Sequence, residues 1–141
     1  MDTKNMDIIE LTRELGRKLQ QEDVYLKYQL AKQAADEDEI LQNLIGEFEL
    51  KRIAINKETS KEQSEQNSEK LITLNKEMRA VYAKIMTNEK MINYNDAKDS
   101  YDILMKRISA IIQQSSEGED PDTADYSSSC SGSCATCGGC G

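Results

Sequence analysis

Residues 1–116 contain no proline and only two glycines, Gly16 and Gly46. Residues 117–141 hold the single proline, Pro121, and the other five glycines. Glycine and proline are the strongest local breakers of regular structure. Their near absence leaves a backbone free to run in long helices. Their return at residue 117 marks a change of regime. The sequence therefore divides into a helical domain, 1–116, and a flexible tail, 117–141.

The apolar spacing agrees with helices. Leu71, Leu74, Met78, Val81 and Ile85 step by three and four residues. Tyr94, Ala97, Tyr101, Leu104, Ile108 and Ile111 do the same. Steps of three and four keep side chains on one face of a 3.6-residue turn. Leu41, Leu44, Phe48 and Ile55 continue the pattern, interrupted by Lys51 and Arg52. Ile8, Leu11, Leu15 and Leu19 give a shorter first helix; Tyr25, Tyr28 and Ala31 mark a second. These patterns place helices at 4–20, 22–35, 38–58, 62–87 and 89–115. Asn88 is positioned to cap the last one. The run Asp36-Glu37-Asp38-Glu39 puts negative charge where the dipole of the third helix favours it. The stretch from Glu58 to Glu69 is almost wholly polar, fitting either a solvated corner or a helix projecting into water.

The expected fold is all-α: an elongated bundle or hairpin of about five helices followed by a disordered, cysteine-rich tail. The stripes are thin for helices this long. Such helices tend to pair with another helical surface, so a homodimer or hetero-complex is expected. A self-contained antiparallel bundle is the alternative.

Charge narrows the partners. The chain carries 26 acids against 18 bases, a net charge of −8. Five acids (Glu117, Glu119, Asp120, Asp122 and Asp125) lie in the tail, which has no base. Phosphate binding needs clustered Lys and Arg. Here Lys84, Lys90, Lys106 and Arg107 are scattered among carboxylates, which argues against direct nucleic-acid contact. No stretch approaches the roughly 20 apolar residues of a membrane span, so no membrane insertion is expected and the location is read as cytoplasmic. The chain has no His. That removes His-based nucleophile pairs, His general bases and every His-containing metal site. No glycine-rich phosphate loop occurs either, and the chain is read as a non-enzyme.

All four cysteines fall in the tail: Cys130, Cys134, Cys137 and Cys140, spaced C-x3-C-x2-C-x2-C. Reduced thiols read first as metal ligands or reactive groups. Thiolates are the ligands that iron–sulfur clusters take. Cys134, Cys137 and Cys140 form a run able to hold three irons of a cube. Cys130 or a partner chain would supply the fourth ligand. A 4Fe–4S cluster is thus the favoured cofactor. Zinc is an alternative, since it also takes four thiolates, although the overlapping pairs suit one tetrahedral ion poorly. A redox-reactive thiol tail, a Ser/Gly tail with incidental cysteines and a modified-peptide precursor are further readings. Cys130, Cys134 and Cys137 also match the C-x3-C-x2-C triad of radical-SAM enzymes, but a chain this short lacks the barrel that supplies the rest of that site.

Three pieces of the helical domain resemble the YlbF/YmcA family of small helical bacterial proteins, closest to its YlbF branch. One is the helix–corner–helix start through Leu11, Leu15, Leu19, Tyr25 and Tyr28. Another is Asp38-Glu39-Ile40-Leu41 with Leu44-Ile45-Gly46-Glu47-Phe48. The third is the last helix, from Asn88, Met91 and Ile92 through Tyr94, Ala97, Tyr101 and Leu104 to Ile108–Ile112. The likeness spans about residues 6–115, and the cysteine tail adds to it. It implies a regulatory subunit acting with related helical proteins of the YmcA and YaaT type. That complex is associated with iron–sulfur clusters and directs the endoribonuclease RNase Y, with effects on mRNA maturation, competence, sporulation and biofilm formation. Cluster binding would rest on Cys130, Cys134, Cys137 and Cys140 and not on the helical fold. The competing function is a structural helical scaffold whose tail binds zinc or carries reactive thiols.

Overall fold

The computed structural model describes residues 3–127. These hold five α-helices: α1 Ile8–Leu19, α2 Asp23–Glu37, α3 Glu39–Thr59, α4 Ser68–Thr87 and α5 Glu89–Ser116. Short 3-10 turns occur at Thr3–Asn5 and Gln63–Glu65. No strand occurs among the described residues. The all-α expectation holds. The chain divides into two compact units, residues 1–98 and 99–141. The composition boundary at residue 116 falls inside the second.

Within the first unit, α3 and α4 pair side by side as a hairpin. Lys51 Nζ donates to Glu77 Oε2 at 2.6 Å across the pair, and this bond raises the Lys51 pKa. The Phe48 and Tyr82 rings lie 6.1 Å apart. The core is small: Ala35, Leu41, Val81 and Ile85. Leu44, Ile45, Phe48, Met91 and Tyr94 pack around it. Val81 and Ile85 are the deeper end of the α4 stripe read from the sequence, whose earlier members stay half-buried.

Two joints consist of one residue each. Asp38 alone separates α2 from α3, in extended backbone. Its carboxylate accepts from the Leu41 amide at 2.9 Å, which satisfies a donor the helix start leaves free. The Gln42 side chain donates to the Ala35 carbonyl at 2.9 Å, answering an acceptor at the end of α2. Asn88 plays the same part between α4 and α5. Its Oδ1 accepts from Lys90 at 2.9 Å and from Met91 at 3.2 Å.

Two helix starts differ from the sequence reading. The first helix was expected from residue 4 and begins at Ile8, because the Thr3–Asn5 turn and the extended Asp7 come before it. The fourth was expected from residue 62 and begins at Ser68. Residues 60–67 have no apolar stripe to bury, so the chain makes a corner there.

The second unit contains the rest of α5 and the segment behind it. The end of α5 is closed by Gly118, at φ +90°. The Gly118 amide bonds the Ser115 carbonyl and the Glu119 amide bonds the Gln114 carbonyl, at 3.1 and 3.0 Å. This paired closure needs a left-handed residue, which glycine adopts without a steric penalty. Pro121 follows, and Asp120 organises a turn by accepting from the Asp122 amide at 2.9 Å. Ala124 is buried. Asp125 then meets Arg107 through bonds of 3.0 and 3.2 Å from Nε and 3.0 Å from Nη2. Gln114 donates to the Asp125 carbonyl at 2.9 Å. Lys106 Nζ lies 5.6 Å from the centre of the Tyr126 ring. Within the expected tail, Ala124 to Tyr126 are therefore held against α5.

Candidate interaction surface

The four cysteines singled out from the sequence, Cys130, Cys134, Cys137 and Cys140, lie outside the described residues. Among the described residues, no group of three or more His, Cys, Asp or Glu side chains could hold a metal ion. The donor set in the sequence remains four thiols, which is the chemistry an iron–sulfur cluster takes. The described residues instead present helical surface.

The α3–α4 corner contains the one buried charged side chain among them, Glu58, at 2 % exposure. A buried carboxylate is tolerated only when its oxygens are bonded. Here Oε1 accepts from the Asn67 amide at 2.8 Å. Oε2 accepts from Lys61 Nζ at 2.9 Å, with Lys70 Nζ at 3.6 Å. Asn67 in turn caps α4, its Oδ1 accepting from the Lys70 amide at 3.1 Å. One carboxylate thus ties the end of α3 to the start of α4. The Asn67 amide, then the Lys61 ammonium, hold its pKa at about 2, well below the ordinary 4.5. The folded state therefore favours the ionised form. The stabilisation from Glu58 is complete above about pH 4.5 and is lost as the pH falls toward about 2. Glu58→Gln should lower the melting temperature at neutral pH by several degrees. The gap from the wild type should close as the pH drops below 4, and melts followed by circular dichroism at a series of pH values would measure it.

The polar stretch Glu58 to Glu69 is thus an ordered corner. Sequence reasoning missed the burial of Glu58, since a buried carboxylate reads like its solvated neighbours. It also missed the Arg107–Asp125 pair. Asp125 was read with the solvated acids of the tail, whereas Arg107 holds its pKa below the ordinary range. A further polar contact sits beside the core: the rings of Tyr28 and Tyr94 lie 5.8 Å apart. A hydrogen bond with Tyr28, followed by burial, raises the Tyr94 pKa.

Many large apolar side chains of the described residues lie outside this small core. On α1 no residue is buried, and Ile8 is 74 % exposed. Leu11 and Leu15 of the same stripe are also exposed. On α2, Leu26 and Leu30 are exposed beside Asp36 and Glu37. Ile40 and Leu50 on α3 and Ile72 on α4 are among the further exposed apolar side chains of the first unit. Large aliphatic side chains arranged in stripes mark surface that another protein covers. No helix among the described residues is long and apolar enough to cross a membrane.

Fold and surface together define a small helical protein whose apolar helix faces are only partly covered by its own chain. The chain belongs to the YlbF/YmcA family: the family model described as "Control of competence regulator ComK, YlbF/YmcA" matches residues 8–115. That match runs from the first residue of α1 to the last turn of α5. No curated protein and no solved structure matches the chain.

Proposed function

We propose that this chain is a non-catalytic, cytoplasmic regulatory adaptor. It would act as one subunit of a complex with helical proteins of the YmcA and YaaT type, and that complex would modulate RNase Y-dependent mRNA processing. Cys130, Cys134, Cys137 and Cys140 would hold an iron–sulfur cluster of the 4Fe–4S type. When bound, the cluster supplies one-electron chemistry. The helices contribute surface for partner helices.

The observation that carries this reading is membership of a family described by control of a competence regulator, over residues 8–115. The exposed stripes on α1 and α2 support an adaptor, because they offer the apolar faces a helical partner needs. The net charge of −8 favours contact with a protein over contact with RNA.

The test is anaerobic purification of the full chain, alone and with the two partner proteins. A visible spectrum and iron and zinc quantification would follow, with and without residues 128–141. Broad charge-transfer absorbance that disappears with the tail is expected. Equimolar zinc without absorbance, or no metal at all, would overturn the cluster assignment. Failure to co-purify with either partner would overturn the adaptor role.

A further inference from the structure

The segment behind α5 is held as a bound peptide would be. Ala124 is buried. The Asp125 carboxylate accepts from both Nε and Nη2 of Arg107. The Asp125 carbonyl accepts from the Gln114 side chain. Lys106 Nζ stands over the Tyr126 ring. We propose that this face of α5 is a recognition site for a short acidic segment of a partner protein, a carboxylate followed by an aromatic residue. The chain's own Ala124–Tyr126 fills the site in cis and acts as an autoinhibitory strap.

Closing the helix does not require the strap. Gly118 already closes α5, through the amide bonds to the Ser115 and Gln114 carbonyls. Arg107 lies well before that end, nine residues ahead of Ser116. The contacts also select. A two-point bond from a guanidinium fork fixes a carboxylate in position and orientation. A bond from Gln114 to a main-chain carbonyl fixes the register of the segment. A cation over a ring favours an aromatic side chain. Reading a side chain and the main chain together is how peptide sites differ from simple charge pairing. Ile103, Arg107, Ala110 and Gln114 follow one another by four, three and four residues, so they share one face of α5. Ile103 is 51 % exposed, so the face continues one turn beyond Arg107. A partner segment that also covers Ile103 gains apolar contact there.

The strap is built to be displaced. The Arg107 and Asp125 side chains are 55 % and 41 % exposed, and ion pairs this open hold weakly. Ala124 is the one buried residue of the described segment after α5. What keeps the strap seated is its tether, residues 117–123. A short link of this kind supplies an effective concentration on the order of millimolar. A partner segment with a dissociation constant of tens of micromolar or below would therefore replace it.

Nuclear magnetic resonance titration of the isotope-labelled full chain tests this. The probe is a peptide with the sequence of residues 119–127, blocked at both ends. Asp125→Lys unseats the strap and leaves the α5 face intact. Ala124→Glu, too large for the buried position, unseats it independently. Helicity should be unchanged in both, because α1 to α5 end before the strap begins. Each opened variant should bind the peptide roughly three- to tenfold more tightly than the wild type, whose own strap competes. The shifted amides should include Lys106, Arg107 and Gln114. Adding Arg107→Glu to the Asp125→Lys chain should abolish binding. A peptide with Lys in place of its Asp125 should then restore it. The site uses residues 103–126 and draws nothing from the cysteines, so its failure would leave the cluster assignment untouched. Three results would overturn the proposal: opened variants that bind no peptide, equal binding by opened and wild-type chains, or binding that survives Arg107→Glu.

Discussion

Leu41→Ala is expected to cost about 2–5 kcal/mol of stability, the range for emptying a well-packed aliphatic site. Leu41 is fully enclosed. Its position is fixed twice over: its amide is bound by Asp38, and its side chain meets Val81 and Ile85 in the cluster of buried residues. Little of the surroundings can collapse into the vacated space. The core has only three other buried members, so the chain has few alternative contacts to fall back on. Chemical denaturation followed by circular dichroism would measure the loss. Leu30→Ala is the control. Leu30 is exposed, and its truncation should leave stability within about 0.5 kcal/mol.

Cys134→Ser is expected to remove most of the bound iron from the anaerobically purified protein. A serine hydroxyl is a harder and far less acidic donor than a thiol, and clusters require thiolate. Cys134 opens the run of three closely spaced proposed ligands, so its loss could not be made good by a neighbour without leaving another position empty. Helicity should not change, since α1 to α5 all lie before residue 117. Iron quantification and far-ultraviolet circular dichroism on the same sample separate the two effects. If the serine variant keeps its iron and still assembles with its partners, the role given to this cysteine fails.

Much of the fold was legible from simple signals. The absence of proline before residue 117 and the three- and four-residue apolar steps located five helices. Asn88 was readable as a cap because an Asx residue just before an amphipathic run has few other uses. What stayed hidden depended on tertiary neighbours. Glu58 looks like any acid of a polar stretch, and only the Asn67 amide arriving across the corner makes it a buried anchor. Asp125 looks like any acid of an anionic tail, and only the turn around Pro121 brings it to Arg107. The starts of α1 and α4 were placed too early because periodicity fades gradually, whereas caps are abrupt. For the candidate site the balance is reversed. The proposed cysteine ligands are visible only as spacing, whereas the α1 face became interpretable once none of its residues proved fully buried.

The one-residue joints at Asp38 and Asn88 bear on how such a chain can change length. An extra residue at either joint would turn the following helix by about 100°. At the first joint that would swing Leu41 out of the core; at the second it would swing Met91 and Tyr94 away from it. Neither joint has slack to absorb the rotation. The exposed residues 62–65 of the polar corner, between the bonded Lys61 and Gln66, have room for extra residues. Insertions, epitope tags and natural length differences should settle there and spare the joints.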